Sequence, residues 1–188
     1  ADRVKLALDH VKGGLDHAAS LGLQWSYVVP EPPGDEHTPQ RYAEHYAAIA
    51  EHGKSHGIKV CIEHFPGTAF PTVSSTLDFI ASTGHDNLYL LFDIGHAQMA
   101  NEDPRAELTA AGDRLGYVHL DDNDGVGDLH LGLTDGIQTE DSLASLFQVL
   151  SDVGYEGPVS LEMKDDLPDP LDAINRSQQL VRRISEIL

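Results

Sequence analysis

Apolar positions in the sequence follow two alternating rhythms. Over residues 2–21, Val4, Leu8, Val11, Leu15, Ala18 and Ala19 recur at helical spacing, and Gly22 closes the segment. The apolar run LQWSYVV (23–29) then reads as a strand, and PEPPGDEHTP as a loop by its proline and glycine content. A second helix is predicted over 39–56, with Thr38 as N-cap and Pro39 at its first position. The strand IKVCIEHF (58–65) follows. The cycle continues with helix 71–83, strand 88–93, a helix at 103–113, strand 115–121, helix 139–153, strand 158–163 and helix 170–187. Five strands and six helices in this order predict a parallel sheet with crossover helices. The strands are apolar on both faces, as covered parallel strands are.

Two parallel architectures fit that order. A doubly wound nucleotide-binding sheet carries a glycine-rich turn between strand and helix. No G-x-G-x-x-G or Walker sequence occurs, and GVG (125–127) lies in a loop with no helix immediately after it. A (β/α) barrel instead places its chemistry at the C-terminal ends of several strands. Polar residues do collect there: Glu63 and His64 end one strand, Asp93 the next, with His96 just beyond on a loop. His119 and Asp121 follow on the next strand, and Glu162 on the last. One such residue is ordinarily a cap or a solvated edge. Four successive strands with the same feature suit a divalent metal with mixed oxygen and nitrogen ligands: Mn, Zn, Co or Mg. Without a metal, clustered carboxylates repel and their pKa values rise.

The loop DDNDGVGDLHLGLTDG (121–136) is rich in Asp and reads equally well as a solvated turn. It does not match an EF-hand. Asp128 and His130, one residue apart, either join His96 around a second metal or hydrogen-bond the first set of ligands or the substrate. Lys164 is the one cation near these motifs, either a contact for a phosphate or substrate oxygen or a surface lysine.

Charge and cysteine content narrow the function. The formal net charge of −19 disfavours general nucleic-acid binding, which needs Lys and Arg against phosphates. It also favours a neutral substrate over a multiply charged one. Cys61 is the sole cysteine and sits in an apolar run, so a buried inert thiol is expected and no intrachain disulfide can form. The chain length of 188 fits one domain. No stretch is apolar enough for a membrane span, and the first residues lack a signal-peptide segment, so a cytoplasmic protein is expected.

The stretches CIEHFPG (61–67), LFDIGHA (91–97), YVHLDDNDGVGDLHLGLTDG (117–136) and SLEMK (160–164) carry a family resemblance. The sequence resembles the xylose isomerase-like TIM barrel superfamily. More closely it is similar to the sugar phosphate isomerase/epimerase branch, which shares its fold with endonuclease IV-type enzymes. The resemblance implies an α/β fold, a (β/α)8 barrel of which residues 1–188 form a single partial domain matching the C-terminal five of eight strands. It implies Glu63, Asp93, His119 and Glu162 as ligands of one divalent metal, with Glu63 and Glu162 also the catalytic acid/base pair. It gives His96 a contact with substrate oxygens, or, as in endonuclease IV-like members, a second metal shared with Asp128 and His130. Where ketose 3-epimerases carry an arginine shortly after the strand histidine, this chain reads DDNDGVG.

The expected function is a metal-dependent isomerase or epimerase of a sugar, sugar phosphate or cyclitol, working by carboxylate-mediated proton transfer through an enediolate. The related dehydration shares the first step. The alternatives are an endonuclease IV-like zinc phosphodiesterase on abasic DNA, and a non-catalytic metal-binding barrel fragment. The expected partners are a small sugar or polyol and, for a partial barrel with open strand edges, a second copy or another chain that completes it.

Overall fold

The computed structural model describes residues 2–34 and 38–186. Among them lie seven α-helices and five strands. They are α1 (Asp2–Ser20), β1 (Trp25–Val28), α2 (Thr38–Ser55), β2 (Lys59–Glu63), α3 (Val73–Thr83), β3 (Leu88–Asp93), α4 (Ile94–Met99), α5 (Pro104–Ala111), β4 (Leu115–Leu120), α6 (Glu140–Asp152), β5 (Val159–Leu161) and α7 (Pro170–Ser185). Thr38, expected as an N-cap, is already the first helical residue of α2; the position before it lies outside the described residues. The hydrogen-bonded strand order is β1-β2-β3-β4-β5. Each strand neighbours its successor, as in a singly wound barrel; a doubly wound sheet reverses its order at a switch point. The chain divides into two compact units, Ala1–Leu91 and Phe92–Leu188, with the boundary inside β3.

In the first unit β1 and β2 pair in parallel from Trp25↔Lys59 to Val28↔Ile62, and β2 and β3 from Val60↔Leu88 to Glu63↔Leu91. Four aromatic side chains of this unit, Tyr42, Tyr46, Phe70 and Phe79, pack on one another. Tyr46 meets Phe79 edge-on at 5.3 Å, and Phe70 stacks on Phe79 at 4.3 Å. Asn87 is buried but satisfied, its amide donating to the carbonyls of Ala50 and Ile58 at 2.9 and 2.8 Å. Helix α3 starts at a capping box between Thr72 and Ser75 and stops at Gly84, whose φ of 64° is a left-handed cap. Such an N-cap is worth about 1 kcal/mol.

Cys61 is fully buried in the middle of β2, and burial pushes its thiol up to about 12. It is therefore expected to resist a thiol reagent at pH 8 in the native state and to react at once in denaturant. Rapid native labelling would contradict that reading.

In the second unit β4 and β5 pair in parallel from Val118↔Val159 to Leu120↔Leu161. The ladder extends by one bond, Glu162 N–H to the Leu120 carbonyl at 3.1 Å. Leu108, Leu120, Leu133, Leu143 and Leu146 are fully buried in this unit. Thr139 and Ser142 form the capping box of α6; Asp169 caps α7, with Pro170 at its first position.

The expected alternation holds, with two corrections. A seventh helix, α4, begins directly at the end of β3, so His96 lies on a helix and not on a loop. The strands are also shorter than the apolar runs predict: Asp121 and Glu162 follow the last residues of β4 and β5.

Candidate metal centre

The LFDIGHA stretch is a strand running into a helix with no connecting residue. Asp93 is the last residue of β3 and also the N-cap of α4, its Oδ1 accepting the His96 N–H at 2.8 Å. That bond leaves Oδ2 turned away from the helix and 3.6 Å from His119 Nδ1 at the end of β4. His119 Nδ1 is in turn 2.5 Å from Glu162 Oε2, just past β5. Asp93, His119 and Glu162 thus bring ligand atoms within 4.8 Å of one another. Asp93 and His119 are buried; the Glu162 side chain is 36% accessible, so a substrate can reach it.

Burial by itself would raise the Asp93 pKa. The neighbouring His119 ring, the His96 ring and the hydrogen bond from the His96 N–H outweigh it and hold the carboxyl at about 2. The hydrogen bond with His119 likewise lowers Glu162, against burial. Both are carboxylates at neutral pH. Asp121 differs: burial first, then the charges of Asp93, Glu162 and Asp128, push its carboxyl up to about 9, although the Gly95 N–H opposes them. The carboxylates of Asp93 and Glu162 converge on the one His119 ring, an excess of negative charge in a small space. A dication held by Asp93, His119 and Glu162 offsets that excess, and an oxygen-and-nitrogen donor set suits Mn²⁺, Zn²⁺, Co²⁺ or Mg²⁺.

Glu63 ends β2 in the first unit, buried, in register with Leu91. His64 beside it is fully buried.

His96, Asp128 and His130 form a second donor set in the second unit, their ligand atoms also within 4.8 Å. Asp128 Oδ1 lies 2.9 Å from His130 Nε2 and 3.5 Å from His96 Nε2, and the two rings meet edge-on at 6.0 Å. His130 sits at φ 45°, a left-handed backbone that turns its ring toward this set. Lys164 does not reach into either set. Its ammonium donates to the Asp128 carbonyl and its N–H to the His130 carbonyl, so it braces the 128–130 segment.

The acidic loop is not a solvated turn at its start, although Asp124 and Asp135 farther along it are exposed. Asp121, Asp122 and Asn123 are fully buried. The Asp122 carboxylate accepts N–H bonds from Asn123, Gly136, Ile137 and Gln138 at 2.8–3.1 Å. The Asn123 amide donates to the Gly95 carbonyl at 2.9 Å, and its oxygen accepts from Gly125 at 2.7 Å. Asp121 Oδ1 accepts the Gly95 N–H at 2.9 Å. These residues hold the start of α4 against the loop after β4. Sequence reasoning assigned none of this to Asp122, Asn123 or Gly95; the dense DDND run was the available signal.

Gly95 explains the glycine of the stretch. A Cβ there would stand 2.3–2.7 Å from the Asp121 carboxyl group, a buried neighbour with nowhere to go. Gly95→Ala is expected to lower stability by about 1–3 kcal/mol through overpacking and to weaken metal binding by shifting the Asp93–His96 turn. A variant with wild-type melting and metal affinity would contradict this account.

The comparisons with known proteins agree with the fold. The chain matches the xylose isomerase-like TIM barrel family over residues 1–184 and belongs to that family. It is 26% identical over 167 residues to an inosose dehydratase of Serratia proteamaculans, covering 79% of this chain and 56% of that protein. It is 29% identical over 160 residues to an L-ribulose 3-epimerase of Mesorhizobium japonicum, covering 84% of this chain and 50% of the relative. The chain therefore spans about half the length of these curated relatives. The crystal structure of a D-tagatose 3-epimerase-like protein superposes with a TM-score of 0.83 at 24% identity, over 97% of this chain and 70% of that one. Among the described residues no helix is long and apolar enough to cross a membrane.

Proposed function

We propose that this chain carries the metal-binding and proton-transferring side of an isomerase or epimerase acting on a sugar, sugar phosphate or cyclitol. The observation that supports it most is Glu162: a substrate-accessible carboxylate kept ionised beside His119 and Asp93, at the ends of successive strands. We assign Glu63 as the fourth ligand. Its support is its burial at the end of β2 and its register with Leu91, two residues before Asp93 on the same strand.

A bound divalent ion supplies stabilisation of the negative charge that builds on neighbouring carbonyl and hydroxyl oxygens. The protein's own residues do the rest. Glu162, ionised at neutral pH, takes the proton from the carbon next to the carbonyl. Glu63 is its counterpart, returning a proton to the other side of that carbon. Asp93, locked by its bond to the His96 N–H, fixes the ligand geometry. His96 and His130 hold substrate oxygens around Asp128. The net charge of −19 favours a neutral sugar or cyclitol over a phosphate ester.

Dehydration is a second reading, supported by the inosose dehydratase likeness. It shares the proton abstraction and then loses a β-hydroxyl as water, so the product separates the two. The phosphodiesterase reading needs a further zinc at His96, Asp128 and His130 and activity on abasic DNA, which the charge of the chain opposes. For the partner, we propose a second chain along β1, the first strand of the sheet order, where Tyr27 and the adjoining Val29 are exposed. A monomeric mass in solution would count against it.

Binding of Mn²⁺, followed by its electron paramagnetic resonance signal, tests the assignment. One equivalent is expected in the wild type, with loss in Asp93→Asn and weaker binding in Glu63→Gln. Unchanged binding in both variants would remove the metal centre.

A further inference from the structure

His52 in the last turn of α2, His56 in the turn directly after it and Asp16 of α1 form another donor set, all within the first unit. His56 stands four residues after His52, where the chain leaves α2 through a turn closed by the His56 N–H bond to the Gly53 carbonyl at 3.0 Å. Their ring centroids are 4.6 Å apart with the planes 34° from parallel. Asp16 Oδ1, from α1, lies 2.6 Å from His52 Nε2 and 3.5 Å from His56 Nε2. All three ligand atoms fall within 4.8 Å of one another.

The hydrogen bonds decide which nitrogen of His56 is available. His56 Nδ1 lies 2.9 Å from the His52 carbonyl oxygen. A carbonyl has no proton to give, so Nδ1 is the donor, and in the neutral ring Nε2 carries the lone pair. That lone pair faces Asp16 Oδ1, which is also an acceptor. Two electron-rich atoms therefore stand 3.5 Å apart at the surface, and a cation between them turns a repulsion into two bonds. An Nδ1–H bonded to a backbone carbonyl is also the usual way in which a metal-binding histidine is oriented.

The spacing fits. Zinc bonds of about 2.0–2.2 Å to nitrogen and oxygen place tetrahedral ligand atoms about 3.3–3.6 Å apart. The His56–Asp16 pair already has that separation. The His52–Asp16 pair, now closed by a hydrogen bond, opens by about 1 Å as the Nε2 proton leaves. All three side chains are part-exposed, at 24%, 40% and 54% for His52, His56 and Asp16, so water can fill the remaining position.

We propose that Asp16, His52 and His56 bind a late first-row divalent cation, Zn²⁺ being the probe, and that the ion staples α1 to α2. Imidazole nitrogen with one carboxylate favours Zn²⁺, Ni²⁺ or Cu²⁺ over Mg²⁺ or Ca²⁺. The inference is independent of the strand-end residues and of the reaction proposed for them.

Equilibrium dialysis of the full chain against Zn²⁺, paired with thermal melts, tests it. His56→Gln, His52→Gln and Asp16→Asn are each expected to bind one equivalent fewer than the wild type. Each is expected to lose the part of the zinc-dependent rise in melting temperature due to this ion. Isotope exchange on substrate stays unchanged in all three, and Asp93→Asn retains the equivalent. Equal zinc in wild type and variants overturns the proposal. Loss in only one of the three, which marks a local folding effect, overturns it too.

Discussion

Glu162→Gln is expected to cut the rate of proton exchange at the carbon beside the substrate carbonyl by about 10²–10⁴-fold, the usual range for a positioned acid or base. Glu162 follows β5, reaches solvent, and is held ionised by hydrogen bonding to His119. Glutamine keeps the size and one ligating oxygen but has no basic site. Because the side chain is part-exposed, folding should change little, with melting within a few degrees of the wild type. Mn²⁺ should bind more weakly, since one charged ligand is gone. A variant that keeps full exchange activity would remove Glu162 from the chemistry. The same substitution at Glu63 is expected to spare exchange from one side of the carbon while blocking inversion, as loss of a partner acid would.

Asp122→Ala is expected to have the largest effect on folding. The Asp122 carboxylate is buried and accepts four backbone N–H bonds, three of them from residues 136–138 far along the loop. Removal leaves the buried N–H groups of Asn123 and Gln138 without this acceptor at about 1–3 kcal/mol each, partly relieved by relaxation, and also releases the part-buried Gly136 N–H, while the Ile137 N–H keeps the Asn123 carbonyl. A net loss of about 3–5 kcal/mol follows, and a fall in melting temperature on the order of 10 °C. Asp122→Asn keeps one acceptor oxygen and should cost less. Gly136 belongs to the same knot: a Cβ there would lie 2.1 Å from the Asn123 carbonyl oxygen, so alanine at 136 should reproduce much of the effect. Urea unfolding checks both. A loss below about 1 kcal/mol for Asp122→Ala would show that the loop does not depend on this carboxylate.

Much of the fold was legible because covered parallel strands leave a plain signal. Each apolar run from 58 to 163 carries a carboxylate or imidazole at or next to its C-terminal end, and the predicted strand 88–93 matches β3, Leu88–Asp93. Helix α4 escaped because it spans six residues and follows β3 without a loop, Asp93 serving both elements. Its apolar residues, Ile94 and Ala97, continue the run of the strand, so periodicity has nothing to separate. The acidic loop was illegible for another reason. Composition cannot tell a solvated aspartate from one buried against amides fourteen to sixteen residues later, and Asp122 is the second kind. Lys164 was likewise decided by tertiary structure, its ammonium held by the Asp128 carbonyl. Asp16, His52 and His56 meet only when α1 packs on α2, and no motif marks that meeting.

Solvent isotope exchange tests the central claim most directly. The chain, loaded with Mn²⁺, is incubated in deuterium oxide with a ketose and, separately, with an inosose. The account predicts deuterium at the carbon beside the carbonyl of at least one of them, lost in Glu162→Gln. Carbon-bound deuterium in an epimeric product marks the isomerase, and release of water marks the dehydratase. A loaded, folded chain that leaves both substrates free of deuterium would contradict the account.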